Sequence, residues 1–220
     1  MCIIAPSLLE ADYQCLGKQL GIMEKAGAEY VHIDIMDGNF VPGLSFGMKM
    51  VEGLRSAGNL IFDIHMMVVE PIRFLEQLHL AGADVVTVHY EACRDICGTL
   101  HAVKNLGMHA GIALNPETPV TCLNEEIIAL ADVIQIMTVR PGLEGQKLIP
   151  ETLEKIRSVK KRLRDMGRPV YLEADGGITF SNGKEVSKAG ADIIVSGKAL
   201  FEGELESNIR KMKQLVTVQC

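Results

Sequence analysis

Ala26-Gly27-Ala28-Glu29-Tyr30-Val31-His32-Ile33-Asp34-Ile35-Met36 contains a helix stop followed by a strand. Glycine suits the left-handed turn that ends a helix. The run 30–36 then alternates with the two-residue period of a strand. The stop recurs as Ala81-Gly82-Ala83-Asp84 and Ala189-Gly190-Ala191-Asp192, each just before another apolar run. Working outward, apolar runs at 3–8, 30–36, 61–68, 85–90, 109–114, 133–139, 170–175 and 193–197 predict strands. Amphipathic segments near 13–25, 47–56, 72–80, 94–105, 123–130, 150–165, 182–188 and 205–215 predict helices between them. This alternation implies βαβ units and a parallel sheet. Eight such units in 220 residues fit one α/β domain over 1–220, a (β/α)8 TIM barrel with eight parallel strands. An open doubly wound sheet competes, but its GxGxxG fingerprint after the first strand is absent.

Composition narrows the function. Hydrophobic residues at 48% and charged residues at 23% are the balance of a soluble globular chain, not a disordered or collagen-like one. No apolar run approaches the ~20 residues a membrane helix needs. The net charge of −6 and the lack of a long basic run argue against nucleic acid or an acidic membrane as partner. The start, Met1 to Pro6, has neither a basic region nor a cleavage site, so a cytoplasmic protein without signal peptide is expected. The cysteines (Cys2, Cys15, Cys93, Cys97, Cys122 and Cys220) show no CxxC spacing and read as reduced thiols. Cys93 and Cys97 are expected one turn apart on a helix, as semi-buried thiols rather than a zinc site.

In a barrel both strand faces are buried, so polar residues within strands are anomalous. On the second strand, Val31, Ile33 and Ile35 share one face; His32, Asp34 and Met36 share the other. On the third, Asp63, His65 and Met67 lie opposite Phe62, Ile64 and Met66. On the seventh, Glu173 and Asp175 share a face. Three strands thus carry His or carboxylate toward the end where barrel active sites lie. Buried His–Asp pairs that merely satisfy each other would explain one strand; three together point to a metal or acid–base site. Two imidazoles and two carboxylates suit one divalent cation, such as Zn, Fe, Mn or Co.

Glycines supply a second signal. Pro141-Gly142-Leu143-Glu144-Gly145-Gln146, Gly176-Gly177 and Gly197-Lys198 follow the sixth, seventh and eighth strands. Loops there, with a helix N-terminus, form the usual phosphate site of a barrel. Met36, Met67 and Met137 near three strand ends would line the site and exclude water. His79, His101 and His109 read as surface or structural residues. His89 reads as a buried, satisfied histidine or as a residue behind the ligands.

These residues carry a resemblance. Ala5-Pro6-Ser7-Leu8-Leu9 with Ala11-Asp12-Tyr13, His32-Ile33-Asp34-Ile35-Met36-Asp37-Gly38-Asn39-Phe40-Val41-Pro42, His65-Met66-Met67-Val68, Asn115-Pro116-Glu117-Thr118, Pro141-Gly142 through Gly145-Gln146 with Ile149-Pro150-Glu151, Asp175-Gly176-Gly177-Ile178 and Gly190-Ala191-Asp192 resemble the ribulose-phosphate 3-epimerases. The resemblance runs along nearly the whole chain. It implies a (β/α)8 barrel with one divalent metal held by His32, Asp34, His65 and Asp175. Asp34 and Asp175 would also be the acid/base pair. Ser7 and His65 would contact the substrate, Met36, Met67 and Met137 would line it, and the glycine loops would hold its phosphate: Gly142, Leu143, Glu144, Gly145, Gly176, Gly177, Gly197 and Lys198.

The expected activity is 3-epimerisation of a ketose phosphate, ribulose 5-phosphate to xylulose 5-phosphate, in a protein expected to be a homo-oligomer. Inversion next to a ketone needs one proton removed and another returned from the opposite face, which two carboxylates can do. Arg140, Glu144 and Lys198 depart from the family's usual residues, so a different ketose phosphate such as allulose 6-phosphate is the alternative. A related decarboxylase would carry Asp-x-Lys-x-x-Asp, and Asp34-Ile35-Met36-Asp37 has no lysine. A tryptophan-synthesis barrel would share the phosphate loops without the His/Asp cluster. A catalytically dead sugar-phosphate binder has no physical need for the buried charges.

Overall fold

The computed structural model describes residues 2–143 and 145–217. The strands are β1 (Ile3–Pro6), β2 (Tyr30–Met36), β3 (Ile61–Met67), β4 (Val85–His89), β5 (His109–Leu114), β6 (Val133–Met137), β7 (Tyr171–Asp175) and β8 (Ile193–Ser196). The helices are α1 (Leu16–Lys25), α2 (Met48–Arg55), α3 (Leu75–Ala81), α4 (Ile96–Asn105), α5 (Glu125–Leu130), α6 (Thr152–Asp165), α7 (Gly183–Ala189), α8 (Lys198–Phe201) and α9 (Leu205–Val216). One sheet runs β1-β8-β7-β6-β5-β4-β3-β2, with every pair parallel. A parallel bridge between Ser7 and His32 brings the two edge strands together and rounds the sheet into a (β/α)8 barrel. No helix among the described residues is long and apolar enough to cross a membrane.

The period-two alternation sorts each strand's side chains. Val31, Ile33 and Ile35 of β2, Phe62, Ile64 and Met66 of β3, and Leu172 and Ala174 of β7 join the core between sheet and helices. The helices meet them with apolar stripes; on α6 these are Leu153, Ile156, Val159 and Leu163, all buried. The opposite faces fill the barrel interior with His32, Asp63, His65, Thr87, His89, Gln135 and Glu173, all fully buried.

Several boundaries differ from expectation. β1 stops at Pro6 because the Ser7 hydroxyl accepts the Leu9 amide and opens a 3-10 turn over Leu8–Glu10. Helix α1 begins at Leu16 rather than near 13, since the Asp12 carboxylate turns the chain by accepting the Gln14 amide. Helix α8 was not foreseen; its four residues are too short to show a helical period. Cys93 is not on a helix with Cys97: it sits in extended backbone before α4, whose cap is Asp95. The five described cysteines are free thiols, and Cys220 lies outside the described residues.

Candidate active site

Register brings the polar faces of β2 and β3 level, with His32 beside Asp63, Asp34 beside His65 and Met36 beside Met67. On the other side of the barrel, Gln135 lies beside Glu173 and Met137 beside Asp175. His32, Asp34, His65 and Asp175 each present one ligand atom, all within 4.8 Å of one another. His32 Nε2 is 3.4 Å from Asp34 Oδ1 and 3.7 Å from Asp175 Oδ2. His65 Nδ1 is 3.0 Å from Asp34 Oδ1 and 3.5 Å from Asp175 Oδ2.

This donor set fits a cation. His32 Nδ1 is bound to Asp63 Oδ2 at 2.7 Å, while His32 Nε2 is buried with no hydrogen-bond partner and faces the two carboxylates. Ligands about 2.0–2.2 Å from a tetrahedral ion lie roughly 3.3–3.6 Å apart, close to the separations here. A divalent ion would satisfy the orphaned nitrogen and oppose the buried negative charge.

The two central carboxylates have different environments. Burial disfavours the charge on Asp34, but His32 and His65 outweigh it and hold the carboxyl well below the usual range. The Ser7 hydroxyl also donates to Asp34 Oδ2 at 2.8 Å. Burial and the neighbouring Asp34 and Asp63 charges outweigh His32 at Asp175 and push it up to about 7. Burial would lower His32, yet Asp34 and Asp63 raise it well above its ordinary value. Below, Glu173 is fully buried and burial, with Asp63, raises its carboxyl well above the usual range.

Sequence reasoning missed four members of this network. The Gln135 amide donates to Asp175 Oδ2 at 3.0 Å and lies 3.3 Å from Met137 Sδ. It was findable as the one polar residue between Val133 and Met137 on the inward face of β6. Asp63 and Glu173 share the polar faces but were given no role; they sit one layer beneath the cluster. Glu91 follows the strand that carries His89, with which it forms a His-x-Glu pair. His89 itself is both buried and in contact with the cluster, its Nε2 2.8 Å from His65 Nε2. Burial pushes His89 down to about 4, whereas hydrogen bonds from His89, Thr118 and the Asn115 amide outweigh burial and hold Glu91 down at about 2.

Above the cluster opens a cavity of about 720 Å³. Ser7, Asp34, Met36, Met67, Met137, Gly142, Leu143, Gly145, Asp175, Gly176, Gly177, Gly197 and Lys198 line it, while His32 and His65 lie buried beneath. Glu144 falls outside the described residues. The loops need their glycines: a Cβ on Gly142, at φ +77°, would sit 2.3 Å from Val41, and one on Gly177, at φ +63°, 2.5 Å from the Leu148 amide. In the long second-strand motif, Asp37 is a loop builder. Its carboxylate accepts the Asn39, Phe40 and Val69 amides, so Met36, Val41 and Met67 pack together at one wall. Lys198 is largely exposed, 3.5 Å from Glu202. Arg140 turns to the preceding loop, its Nε donating to Glu117 at 2.8 Å.

Comparison with known proteins agrees with this geometry. The model of the ribulose-phosphate 3 epimerase family matches residues 3–201. The ribulose-phosphate 3-epimerase of Synechocystis is 39% identical over 226 residues, covering 98% of this chain and 98% of that protein. That of Treponema pallidum is 41% identical over 208 residues, covering 94% and 95%. Among solved structures, KGPDC from Streptococcus mutans has the same fold, with a TM-score of 0.70 at 14% identity over 98% of this chain and 97% of that one. With both the barrel and the sequence shared over nearly its full length, the chain belongs to the ribulose-phosphate 3 epimerase family.

Proposed function

We propose that this protein is a metal-dependent isomerase that interconverts D-ribulose 5-phosphate and D-xylulose 5-phosphate. The observation that carries the reading is the convergence of His32, Asp34, His65 and Asp175 at the floor of a cavity whose rim is built from glycine loops. Those four residues would hold one divalent ion, of Zn, Fe, Mn or Co type. When bound, the ion supplies Lewis-acid stabilisation of the charge that develops on the substrate oxygens.

The chain's own residues do the rest. One of Asp34 and Asp175 removes the proton from the carbon beside the ketone, and the other returns a proton to the opposite face. The Ser7 hydroxyl orients Asp34 and contacts the substrate. Met36, Met67 and Met137 keep water from the reacting carbon, and their thioethers bring no hydrogen-bond donor of their own. The substrate phosphate sits among the backbone amides of the glycine loops at Gly142, Leu143 and Gly145, at Gly176-Gly177 and at Gly197, with Lys198 adding charge at the rim.

The deciding experiment strips the protein of metal, reloads it separately with Zn²⁺, Fe²⁺, Mn²⁺ and Co²⁺, and supplies ribulose 5-phosphate and, in parallel, allulose 6-phosphate. Metal-dependent formation of xylulose 5-phosphate is expected, with slower conversion of the six-carbon sugar. No turnover of ribulose 5-phosphate with any of the four ions would end this reading.

A further inference from the structure

His89 and Glu91 stand outside the four-residue cluster, and the epimerisation scheme gives them no work. The two ring nitrogens of buried His65 face different neighbours. Nδ1 looks toward the carboxylates of Asp34 and Asp175, 3.0 and 3.5 Å away. Nε2 is 2.8 Å from His89 Nε2. Two imidazole nitrogens at that distance share one proton, so one donates and the other accepts. The far side of His89 decides which. Its Nδ1 lies 3.2 Å from Glu91 Oε2, and an ionised carboxylate can only accept. His89 therefore carries its proton on Nδ1 and offers a lone pair at Nε2. His65 then donates from Nε2 and its Nδ1 is open toward the cluster; Asp34 Oδ1, 3.0 Å away and also an acceptor, competes for a proton at Nδ1 until a cation takes that place.

Glu91 is anchored for this task. Its other oxygen, Oε1, accepts the Asn115 backbone amide at 2.9 Å and the Thr118 hydroxyl. We infer that Glu91, acting through His89, is a positioning residue that keeps the proton of His65 on Nε2 and Nδ1 open to a cation. The inference rests on the His/Asp cluster being a metal centre. A hydrogen bond on the distal nitrogen of a ligating histidine fixes its tautomer, and losing such a partner weakens metal binding ~10- to 100-fold.

The substitution Glu91→Gln tests it with little change of shape. Asn115 and Thr118 both donate to Oε1, so they hold the amide oxygen on their side and turn its NH₂ toward His89. That amide must donate to His89 Nδ1. The chain then reverses: His89 donates from Nε2, His65 accepts at Nε2, and the proton of His65 moves to Nδ1. Imidazole ¹⁵N NMR of the Zn²⁺-loaded wild-type protein should find protons on His89 Nδ1 and His65 Nε2. In metal-free E91Q they should appear on His89 Nε2 and His65 Nδ1, and Mn²⁺ titrated by electron paramagnetic resonance should bind at least ~10-fold more weakly than to wild type. A proton on His89 Nε2 in the Zn²⁺-loaded wild type overturns the inference, as does E91Q binding Mn²⁺ as tightly as wild type. The wild-type spectrum decides the matter even if E91Q does not fold. Neither readout needs turnover, so a protein that binds Mn²⁺ but leaves ribulose 5-phosphate unchanged would sink the functional reading alone.

Discussion

Asp34 and Asp175 are the same residue type within one shell, and their surroundings make them different acids. Asp34 takes a hydrogen bond from Ser7 and faces the raised, charged His32 and the ring of His65; Asp175 takes its bond from a neutral amide, Gln135. Removing the Asp175 carboxyl as Asp175→Asn should lower kcat by on the order of 10²-fold or more. With Mn²⁺ still bound, the variant should exchange the proton of one epimer with D₂O; wild-type turnover in D₂O without deuterium at the inverted carbon would exclude proton abstraction there. The raised value of about 7 at Asp175, against an ordinary 3.8, also has a sign for stability. Between those values the folded metal-free protein holds a proton that the unfolded chain has lost. Asp175's contribution to stability is therefore greatest at low pH and is lost as pH rises through 7. A cation must displace that proton and the one on His32, whose value lies well above 6.5. Metal affinity should rise about a hundredfold per pH unit below 7 and about tenfold just above it, because one proton is released per unit slope. A flat dissociation constant from pH 5 to 7 would contradict this protonation pattern. At the rim, Lys198→Ala should raise KM about 10- to 100-fold with little change in kcat, since a charged hydrogen bond is worth about 1.5–3 kcal/mol and the phosphate is remote from the reacting carbon. Unchanged kinetics at low salt would mark Lys198 as a surface charge. The period of two made the inward polar face readable from sequence, because His and Asp have no cheap reason to be inside a strand. Gln135 was visible only as an inward polar residue, and Glu91 was not readable at all, because the contacts that give them roles exist only across strands.

Elements explain what the residues alone did not. The repeated Ala-Gly-Ala-acid segment reads in sequence as a helix stop, and Gly27, Gly82 and Gly190 do adopt positive φ there. The acidic residue has a second use. Asp84 accepts the Phe62 amide of β3 and Arg55 of α2; Asp192 accepts the Leu172 amide of β7 and Lys160 of α6. Asp132 does the same with the Ala110 amide of β5 and Lys104 of α4. It escaped the repeat because α5 ends on Ala131 in extended backbone, with no glycine to mark it. At the other end of the strands the glycines hold loops against each other. Gly177→Ala would place a Cβ 2.5 Å from the Leu148 amide and 2.9 Å from the Gln146 carbonyl, both backbone. The loop after β6 would have to retreat, at a cost of about 1–3 kcal/mol. We expect a lower denaturant midpoint and a raised KM for the sugar phosphate. Stability and KM both within error of wild type would show that the two loops do not depend on this contact.

The whole molecule divides its labour along the barrel axis. At the N-terminal ends of the strands, Asp84, Asp132 and Asp192 each tie a strand to its neighbour and to a helix, and each is paired with a cationic side chain. At the C-terminal ends, carboxylates and imidazoles crowd together with an orphaned nitrogen. A barrel can carry such a mouth because its other end is secure. The eight-unit alternation was legible because a strand and a helix each impose their own period on the chain. What escaped was short or relational: the four residues of α8, the end of β1, and the clamps that join separate units. The division has a measurable consequence. Removing the metal with a chelator should lower the unfolding midpoint, by about 2.7 kcal/mol of stability if the ion was present at a hundredfold its dissociation constant. Asp192→Ala removes both the bidentate Lys160 pair, at 2.6 Å to each oxygen, and the Leu172 amide bond at 2.9 Å. Since both partners are partly exposed, solvent discounts the pair, and about 2–3 kcal/mol should be lost. Register sets Asp175 beside Val195, so Asp192 lies three positions lower, about 10 Å down the barrel. Sites that far apart with no shared partner add within about 0.5 kcal/mol. Asp192→Ala should therefore cost the same stability with or without metal, and the same in the Asp175→Asn background, with KM and metal affinity unmoved. Denaturant unfolding of the two single variants and the double variant measures this directly. A coupling well above that limit would mean the two ends of the barrel are one cooperative network, and the clamps would then belong to the active site.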